Sequence, residues 1–294
     1  MIAIDLGSNT IRMIEYDCTS KKFLNSYEKI VRTAENLVNT KNISDEAVER
    51  IIQAIKEAKE KLNFNNIKAY TTEAIRQAQN KNEVLEKIKT ETGVEFKIAT
   101  PQEEAYFTTI AVEDILNQNY KTMFLVDIGG GSTELIVKNQ KELLSESFKI
   151  GIVTISQRYK SIEALEVGIK QDVKPFKDFI QFAKMSYRPD IFVASSGTPT
   201  TIAALKQGLD YNSYDPEKIN NTILTIKDLD YWMDRLLRME MKNREKLVGV
   251  GRGDLIVSGI MIFKEIFLMS GFSECIVVDN GVREGIAIDY CKGK

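Results

Sequence analysis

Histidine is absent from all 294 residues of this chain. Its absence excludes histidine-dependent triads, phosphohistidine chemistry and the paired His/Asp sites of many phosphohydrolases. If the chain is an enzyme, its acid and base groups must be carboxylates, lysines, cysteines or tyrosines. Carboxylates acting together with a metal ion are the obvious candidates.

Cysteine is scarce, with only Cys18, Cys275 and Cys291. An odd number of widely spaced cysteines favours neither a disulfide framework nor a zinc site, so we expect reduced, structural thiols. Long apolar runs are also missing, and the apolar start reaches Asp5 at once, unlike the basic start of a signal peptide. We therefore expect a cytoplasmic protein with no membrane partner.

Excess charge of either sign is absent too. The chain has 42 acidic and 40 basic residues and a net charge of -2, which argues against a general nucleic-acid surface. We expect small-molecule partners and no nucleic acid. A length of 294 residues favours about two domains, each large enough to bury a core.

What the sequence does contain is a turn written twice, as Asp5-Leu6-Gly7-Ser8-Asn9-Thr10 and as Asp127-Ile128-Gly129-Gly130-Gly131-Ser132-Thr133. In both copies a short apolar run leads to the aspartate, and a second β-type run follows the turn. This pattern predicts a strand, a tight turn and a returning strand. Glycines let an anion approach the backbone closely, so each turn is a candidate phosphate-binding site.

Neither turn is one of the commoner phosphate loops. A Walker loop requires a Gly-Lys-Ser/Thr end ahead of a helix, and a dinucleotide fingerprint requires a third glycine that opens a helix. Glu134 stands where that glycine would be, and the β-type run Leu135-Ile136-Val137 follows. The aspartate at the end of each strand is placed to hold a cation.

The rest of the chain alternates predicted strands and helices, and the second half repeats the plan of the first. The polar segment 117–121 is the predicted boundary. We expect an α/β protein with two related domains around a cleft. The first covers residues 1–118 and is completed by a closing helix within 281–294, and the second covers residues 119–280.

Six motifs in the same order carry a family resemblance. They are Asp5 to Arg12, Thr71 to Asn80, Glu103-Glu104-Ala105, Asp127 to Glu134, Ser196 to Leu205 and Val282-Arg283-Glu284-Gly285. The chain resembles the exopolyphosphatase / guanosine pentaphosphate phosphohydrolase (Ppx/GppA) family, in its short two-domain form. The resemblance implies two ribonuclease H-like domains of the actin-like ATPase fold group, with a phosphate-binding cleft between them.

The candidate catalytic groups are three carboxylates, Glu104, Asp127 and Glu134, together with Arg76. Glu103 and Glu104 begin a predicted helix, where adjacent side chains point about 100° apart, so only one can face a substrate easily. The resemblance assigns the role of general base to Glu104. Asp127 and Glu134 bracket the glycine turn, and together with Asp5 they are candidate ligands of Mg²⁺ or Mn²⁺. Dipole stabilisation of a helix start and ordinary turn chemistry are the structural alternatives.

Candidate phosphate ligands lie in both turns, at a third site and on arginines. The third site is the predicted helix start at Ser196, Gly197 and Thr198, which is alternatively a plain strand-to-helix connection. Arginines at family positions suit phosphate oxygens, although Arg283 alternatively ties the last helix to the second domain. The full set is Ser8, Asn9, Arg12, Arg76, Gly129, Gly130, Gly131, Ser132, Ser196, Gly197, Thr198, Arg252 and Arg283.

The resemblance implies a metal-dependent hydrolase that removes terminal phosphate from inorganic polyphosphate or guanosine pentaphosphate. The chain departs from the family at Thr100-Pro101-Gln102 and at Tyr106, beside the expected base. Two alternatives stay open: an ATPase or sugar kinase of the same fold group, and a sensor that binds guanosine polyphosphates without turnover. The sequence does not rank the two phosphate substrates, and it leaves a homodimer open.

Overall fold

A computed structural model describes residues 1–116 and 120–293. The chain divides into two compact units, Met1–Ala111 together with the segment from Gly281 onward, and Val112–Asn280. The division falls inside a helix. The predicted domain boundary at 118/119 falls on residues 117–119, which lie outside the described residues.

Unit 1 contains a five-stranded sheet and six helices along residues 1–116 and 281–293. The elements are β1 (Ile2–Leu6), β2 (Thr10–Asp17), β3 (Lys22–Ile30), α1 (Leu37–Thr40), α2 (Asp45–Lys59), β4 (Ile67–Thr71), α3 (Glu73–Gln77), α4 (Lys81–Thr92), β5 (Phe96–Ile98), α5 (Pro101–Leu116), whose last residues belong to unit 2, and the closing helix Val282–Lys292.

Unit 2 contains a six-stranded sheet. Its elements are β6 (Thr122–Ile128), β7 (Thr133–Asn139), β8 (Leu143–Phe148), α6 (Ile152–Arg158), α7 (Ile162–Asp172), α8 (Lys174–Ser186), β9 (Ile191–Ser195), α9 (Gly197–Lys206), α10 (Pro216–Ile219), β10 (Thr222–Leu224), α11 (Ile226–Leu237), α12 (Met241–Val248), α13 (Leu255–Ser270) and β11 (Cys275–Val277). The closing helix Val282–Lys292 of unit 1 is numbered α14.

The two sheets share one strand order. In unit 1 the order is β3-β2-β1-β4-β5, with antiparallel pairing from β1 through β3 and parallel pairing from β1 through β5. In unit 2 the order β8-β7-β6-β9-β11 repeats these directions, and β10 adds an antiparallel edge strand. The prediction of two related α/β domains of ribonuclease H-like type is confirmed.

Local sequence signals account for several helix ends. Ser44 caps α2 by accepting a hydrogen bond from the amide of Ala47 at 3.2 Å. Helix α4 ends at Gly93, whose φ of 69° is the left-handed conformation that glycine adopts without strain. Pro175 lies in the first turn of α8, so it begins that helix and does not interrupt it.

Helix α14 completes the core of unit 1. Its Ile286, Ala287 and Ile288 are buried in a cluster with residues of β1, β2 and α5. Among the residues that the structure describes, no helix is both long enough and apolar enough to cross a membrane.

The expectation of reduced cysteines is wrong for one pair. Cys18 and Cys291 form a disulfide; their Cα atoms lie 5.3 Å apart, and the two residues are 273 positions apart in the chain. The end of β2 meets the last turn of α14, which sequence spacing alone does not reveal. Cys275 is free and buried, and burial raises the pKa of its thiol.

The contact of α14 with α5 predicts a stability effect. A Cβ atom at Gly285 would overlap the backbone carbonyl of Phe107, whereas one at Gly293 in the same segment would meet nothing closer than 4.0 Å. We expect Gly285→Ala to lower the free energy of unfolding by about 1–3 kcal/mol, because backbone must move to admit the methyl group. Urea denaturation measures the change.

Gly293→Ala is the matched control, and we expect it to change stability by less than about 0.5 kcal/mol. If Gly285→Ala were as stable as the control, the close approach of α14 to α5 would be wrong.

Candidate functional site

The turn within residues 5–10 and the turn within residues 127–133, which we call the two Asp-Gly turns, are closed by the same backbone hydrogen bond. In unit 1 the amide of Gly7 donates to the carbonyl of Thr10 at 3.0 Å, and in unit 2 the amide of Gly129 donates to the carbonyl of Ser132 at 2.9 Å. In each case the donor lies two residues after the aspartate and bonds to the residue three positions later. The repeated sequence therefore produces a repeated backbone geometry.

The carbonyls of the unit 1 turn are held by the segment that follows β3. The amides of Val31 and Arg32 donate to the carbonyl of Asn9 at 2.9 and 2.8 Å, and the amide of Ala34 donates to that of Ser8 at 2.8 Å. The peptide groups at Ser8 and Asn9 are thereby fixed in one orientation.

The unit 2 turn is held by the start of α6. The amide of Ile152 donates to the carbonyl of Gly129 at 3.1 Å, and that of Val153 donates to the carbonyl of Gly130 at 2.8 Å. Within the described part of the chain, no backbone carbonyl accepts a hydrogen bond from the amide of Gly130 or Gly131. Two backbone donors in a turn of fixed orientation suit an anion such as phosphate.

Gly151 supports this turn and was not predicted as a site residue. A Cβ atom there would lie within about 2.6 Å of the backbone of Gly130 and Gly131, closer than real side chains approach. Gly151 therefore has to be glycine for α6 to pack under the turn. A glycine between a strand and a helix was the available sequence signal, but it does not show which loop lies against it.

Two buried carboxylates stand side by side behind the unit 2 turn. Asp127 on β6 and Glu134 on β7 are directly opposite one another in the antiparallel register, and their residues are 9% and 4% exposed. The hydroxyl of Ser147 donates to Oε1 of Glu134 at 2.7 Å. Opposed residues share one face of a sheet, so both carboxylates project to the same side.

The donor set at Asp127 and Glu134 fits Mg²⁺ or Mn²⁺. Mg²⁺ prefers oxygen ligands and is commonly held by one or two carboxylates together with substrate phosphates. Across residues 1–116 and 120–293, no three His, Cys, Asp or Glu side chains are grouped to form a metal cage. Asp5, the third predicted ligand, lies in unit 1 opposite Arg12 in the register of β1 and β2. The metal assignment therefore stays a prediction.

Glu104 is buried and forms an ion pair with Arg76. The residue is 6% exposed, and its Oε2 accepts a hydrogen bond from Nη1 of Arg76 at 2.7 Å. Glu103, one position earlier, instead binds Nζ of Lys97 at 2.5 Å and the amide of Thr100. Burial acts to raise the pKa of Glu103, but these hydrogen bonds outweigh it and lower the pKa. The two neighbours thus have distinct surroundings.

Arg76 links three parts of unit 1. Its Nε and Nη2 donate to Oε2 of Glu73 at 3.0 and 2.5 Å, and its Nη1 also donates to the carbonyl of Ala99 at 2.5 Å. Burial acts to lower the pKa of Arg76, but Glu104 and Glu73 outweigh it and raise the pKa. Glu73 is 5% exposed, also accepts from Gln77, and was not predicted. Its only sequence signal is its position three residues before Arg76 on one helix.

The remaining predicted arginines have identifiable partners. Nε of Arg12 lies 3.2 Å from a carboxylate oxygen of Glu28 on β3. Nε of Arg283 donates to Oε1 of Glu284 at 2.7 Å, and Glu284 in turn caps α14 by accepting from the amide of Gly281 at 2.9 Å. Arg283 is thus bonded within α14 of unit 1.

The predicted third anion site lies at the start of α9 in unit 2. Ser196 precedes the helix with a φ of 79°, which is uncommon for a residue with a side chain. Gly197 and Thr198 form the first turn, and Ser195 is opposite Asp127 in the parallel register of β9 and β6. Arg252 is a further predicted phosphate ligand in unit 2, and its guanidinium carbon lies 5.8 Å from the centroid of the Tyr211 ring. Phosphate binding at these residues stays a prediction.

Beside Glu104 the chain departs from the family pattern, and two of the residues concerned have structural roles in unit 1. Pro101 is the first residue of α5, where proline is well tolerated. The hydroxyl of Tyr106 donates to a carboxylate oxygen of Asp289 at 2.9 Å, which joins α5 to α14. Neither residue disturbs the bond between Glu104 and Arg76.

The sequence model of the Ppx/GppA phosphatase family matches residues 17–293, which is nearly the whole chain. The chain belongs to the Ppx/GppA phosphatase family. Among the curated proteins to which the chain is similar are an exopolyphosphatase, a bifunctional synthase/phosphatase and a pyrophosphatase. Exopolyphosphatase 2 of Mycobacterium tuberculosis is 24% identical over 314 residues, and the match covers 97% of both chains.

The other two relatives are longer than this chain. The bifunctional 3-dehydroquinate synthase/phosphatase of Fusobacterium nucleatum is 27% identical, and the match covers 99% of this chain and 46% of the relative. The guanosine-5'-triphosphate,3'-diphosphate pyrophosphatase of Vibrio parahaemolyticus is 25% identical, with 98% of this chain and 58% of the relative covered. The chain therefore spans about half the length of these two relatives.

A solved structure shows the same family architecture. The crystal structure of the Ppx/GppA family member from Aquifex aeolicus has a TM-score of 0.75 to this chain at 28% identity, and the match covers 99% of this chain and 97% of that one. The similarity extends over both units.

The buried ion pairs of Arg76 predict a loss of stability when the arginine is removed. Arg76→Ala leaves Glu73 and Glu104 as buried charges without their guanidinium partner, and breaking such a pair typically costs about 3–5 kcal/mol. Urea denaturation measures the loss in the free energy of unfolding.

Arg238→Ala provides the control, because the pair of Arg238 with Asp234 is 78% and 63% exposed at its two side chains and should contribute little. Equal losses for the two variants would contradict the structural role given to Arg76.

Proposed function

We propose that this protein is a metal-dependent phosphoanhydride hydrolase that releases terminal phosphate from inorganic polyphosphate, guanosine pentaphosphate or both. The observation that carries the proposal is the Gly129–Ser132 turn, with its carbonyls tied to α6 and two amides available as donors. A phosphate chain is the ligand class that such a turn suits.

Family membership supports this activity. The Mycobacterium relative is named an exopolyphosphatase and the Vibrio relative a pyrophosphatase of guanosine pentaphosphate, so both are named for cleaving phosphoanhydride bonds. Polyphosphate and guanosine pentaphosphate share a terminal phosphate joined through an anhydride oxygen. Phosphate release measured side by side on long polyphosphate, short polyphosphate, guanosine pentaphosphate and ATP distinguishes the substrates and tests the kinase and ATPase alternatives.

Glu104 is the proposed general base. It accepts a proton from the attacking water as the oxygen of that water bonds to the terminal phosphorus and the anhydride P–O bond breaks. The products are inorganic phosphate and a chain that is shorter by one phosphate. Arg76 holds the Glu104 carboxylate through the 2.7 Å bond to Nη1, so the base is oriented before substrate arrives.

The turn and the carboxylates behind it supply electrostatic stabilisation in the proposal. The amides of Gly130 and Gly131 donate to phosphate oxygens, where negative charge is spread during transfer. Asp127 and Glu134 would hold Mg²⁺ or Mn²⁺. A bound divalent ion neutralises phosphate charge that would otherwise repel these carboxylates.

The base assignment predicts a large loss of rate. Glu104→Gln keeps the shape of the side chain but cannot accept the proton, so we expect the turnover rate to fall by about 10² to 10⁴ while substrate binding survives. Steady-state phosphate release and equilibrium binding of tripolyphosphate measure the two quantities separately.

Glu103→Gln is the control for this experiment, since Glu103 binds Lys97 instead of Arg76. A Glu104→Gln protein with near wild-type turnover would remove Glu104 from the mechanism. The same loss in Glu103→Gln alone would transfer the role to that residue.

The metal assignment predicts dependence on a divalent ion. Phosphate release should stop in chelator and return with Mg²⁺ or Mn²⁺. Asp127→Asn should raise the Mg²⁺ concentration for half-maximal activity at least about tenfold, because one charged ligand is lost. The control Asp178→Asn alters an exposed aspartate on α8 of the same unit and should leave this concentration unchanged. Full activity in chelator would refute the metal-dependent mechanism.

A further inference from the structure

A row of four polar residues crosses the unit 2 sheet at the level of the glycine turn. Ser195 on β9 is paired with Asp127 on β6, Asp127 with Glu134 on β7, and Glu134 with Ser147 on β8. The two carboxylates therefore stand in the middle of the row, and a serine stands at each end.

The two serines do different things. The hydroxyl of Ser195 donates to the backbone carbonyl of Asn280 at 2.9 Å, so it ties β9 to the chain that follows β11. The hydroxyl of Ser147 donates to Oε1 of Glu134 at 2.7 Å. Of these two serine hydroxyls, the one on β8 is thus the one directed to a candidate metal ligand.

A hydrogen bond to Glu134 has a clear physical consequence. Glutamate has three side-chain torsions, and its terminal torsion is broad, so the plane of its carboxylate is poorly fixed by rotamer preference alone. A carboxylate offers about four acceptor positions, of which the Ser147 hydroxyl takes one. The bond from Ser147 therefore restricts the rotation of the Glu134 carboxylate.

We propose that Ser147 is a positioning residue that holds Glu134 in the orientation that binds the divalent ion. The inference rests on the proposed function, because it gives Glu134 the role of metal ligand. Residues that hydrogen-bond to a metal ligand without touching the metal typically matter for the site. Their removal changes metal affinity or activity about 10- to 100-fold.

Strand β8 also provides a matched control. Ser145 lies two positions before Ser147 on the same face of β8, where it is opposite Ile136 and not a carboxylate. Both serines are partly buried. Removing either hydroxyl makes the same chemical change on the edge strand of the sheet, so a general effect on β8 would be the same in both variants.

The test is metal binding by the whole protein, with Mn²⁺ alone as the probe. Binding is followed by the loss of the electron paramagnetic resonance signal of free Mn²⁺, and the Mg²⁺ concentration for half-maximal phosphate release is measured on the same variants. We expect Ser147→Ala to weaken Mn²⁺ binding and to raise that Mg²⁺ concentration by about 10- to 100-fold. Turnover at saturating Mg²⁺ should change much less.

Two further variants make the result specific. Ser147→Thr retains a hydroxyl and should bind Mn²⁺ nearly as wild type, whereas Ser145→Ala should match wild type in both measurements. Thermal unfolding of each variant shows whether the sheet is intact, and a purely structural role would lower the unfolding temperature of Ser147→Ala without changing Mn²⁺ affinity.

The outcomes separate this inference from the proposed function. If Asp127→Asn weakens Mn²⁺ binding but Ser147→Ala does not, or if Ser145→Ala weakens it equally, the role of Ser147 is refuted and the metal site stands. If the wild-type protein binds no Mn²⁺ and is fully active in chelator, the metal-dependent function is refuted and the role of Ser147 falls with it.

Discussion

The anchoring of backbone carbonyls in the two Asp-Gly turns is the constraint on which the rest of the candidate site depends. A turn of glycine and small polar residues has many backbone conformations available, and such freedom opposes binding. Here each turn is closed by its own Gly amide and then held by amides of the segment after the third strand, at 31–34 in unit 1 and 152–154 in unit 2. The geometry of an otherwise flexible turn is thereby set by the segment that follows the edge strand of the sheet.

The guanidinium of Arg76 pairs with two buried carboxylates of unit 1, Glu73 and Glu104. Because the chain has no histidine, a carboxylate is the base in our proposal, and a buried carboxylate is costly unless it is paired. Arg76 pairs with Glu104 and Glu73 together and also bonds the carbonyl of Ala99, so it connects α3, α5 and the end of β5. The same residue therefore stabilises the unit and orients the proposed base.

The parts predicted from the sequence are those encoded over short distances. The two Asp-Gly turns, the strand-rich start of each half and the mixed α/β class follow from local patterns, and the structure confirms them. Residues such as Glu73 and Gly151 were missed because their roles depend on how separate elements of the fold pack against each other. Gly151 depends on which loop lies over it, and Glu73 on an arginine shared with another helix. The pairing of Cys18 with Cys291 was missed for the same reason.

Because unit 1 includes helix α14, the two units become able to fold at different times during synthesis. Unit 2 is one continuous stretch, Val112–Asn280, whereas the core of unit 1 needs Ile286, Ala287 and Ile288 against strands made near the start of the chain. Chains emerge from the ribosome at about 5–20 residues per second, and domains generally fold as units. The N-terminal segment therefore cannot complete its core until residues beyond 280 have been made. Until then, the apolar sheet face that α14 covers stays exposed. The unit that is begun first is the one completed last.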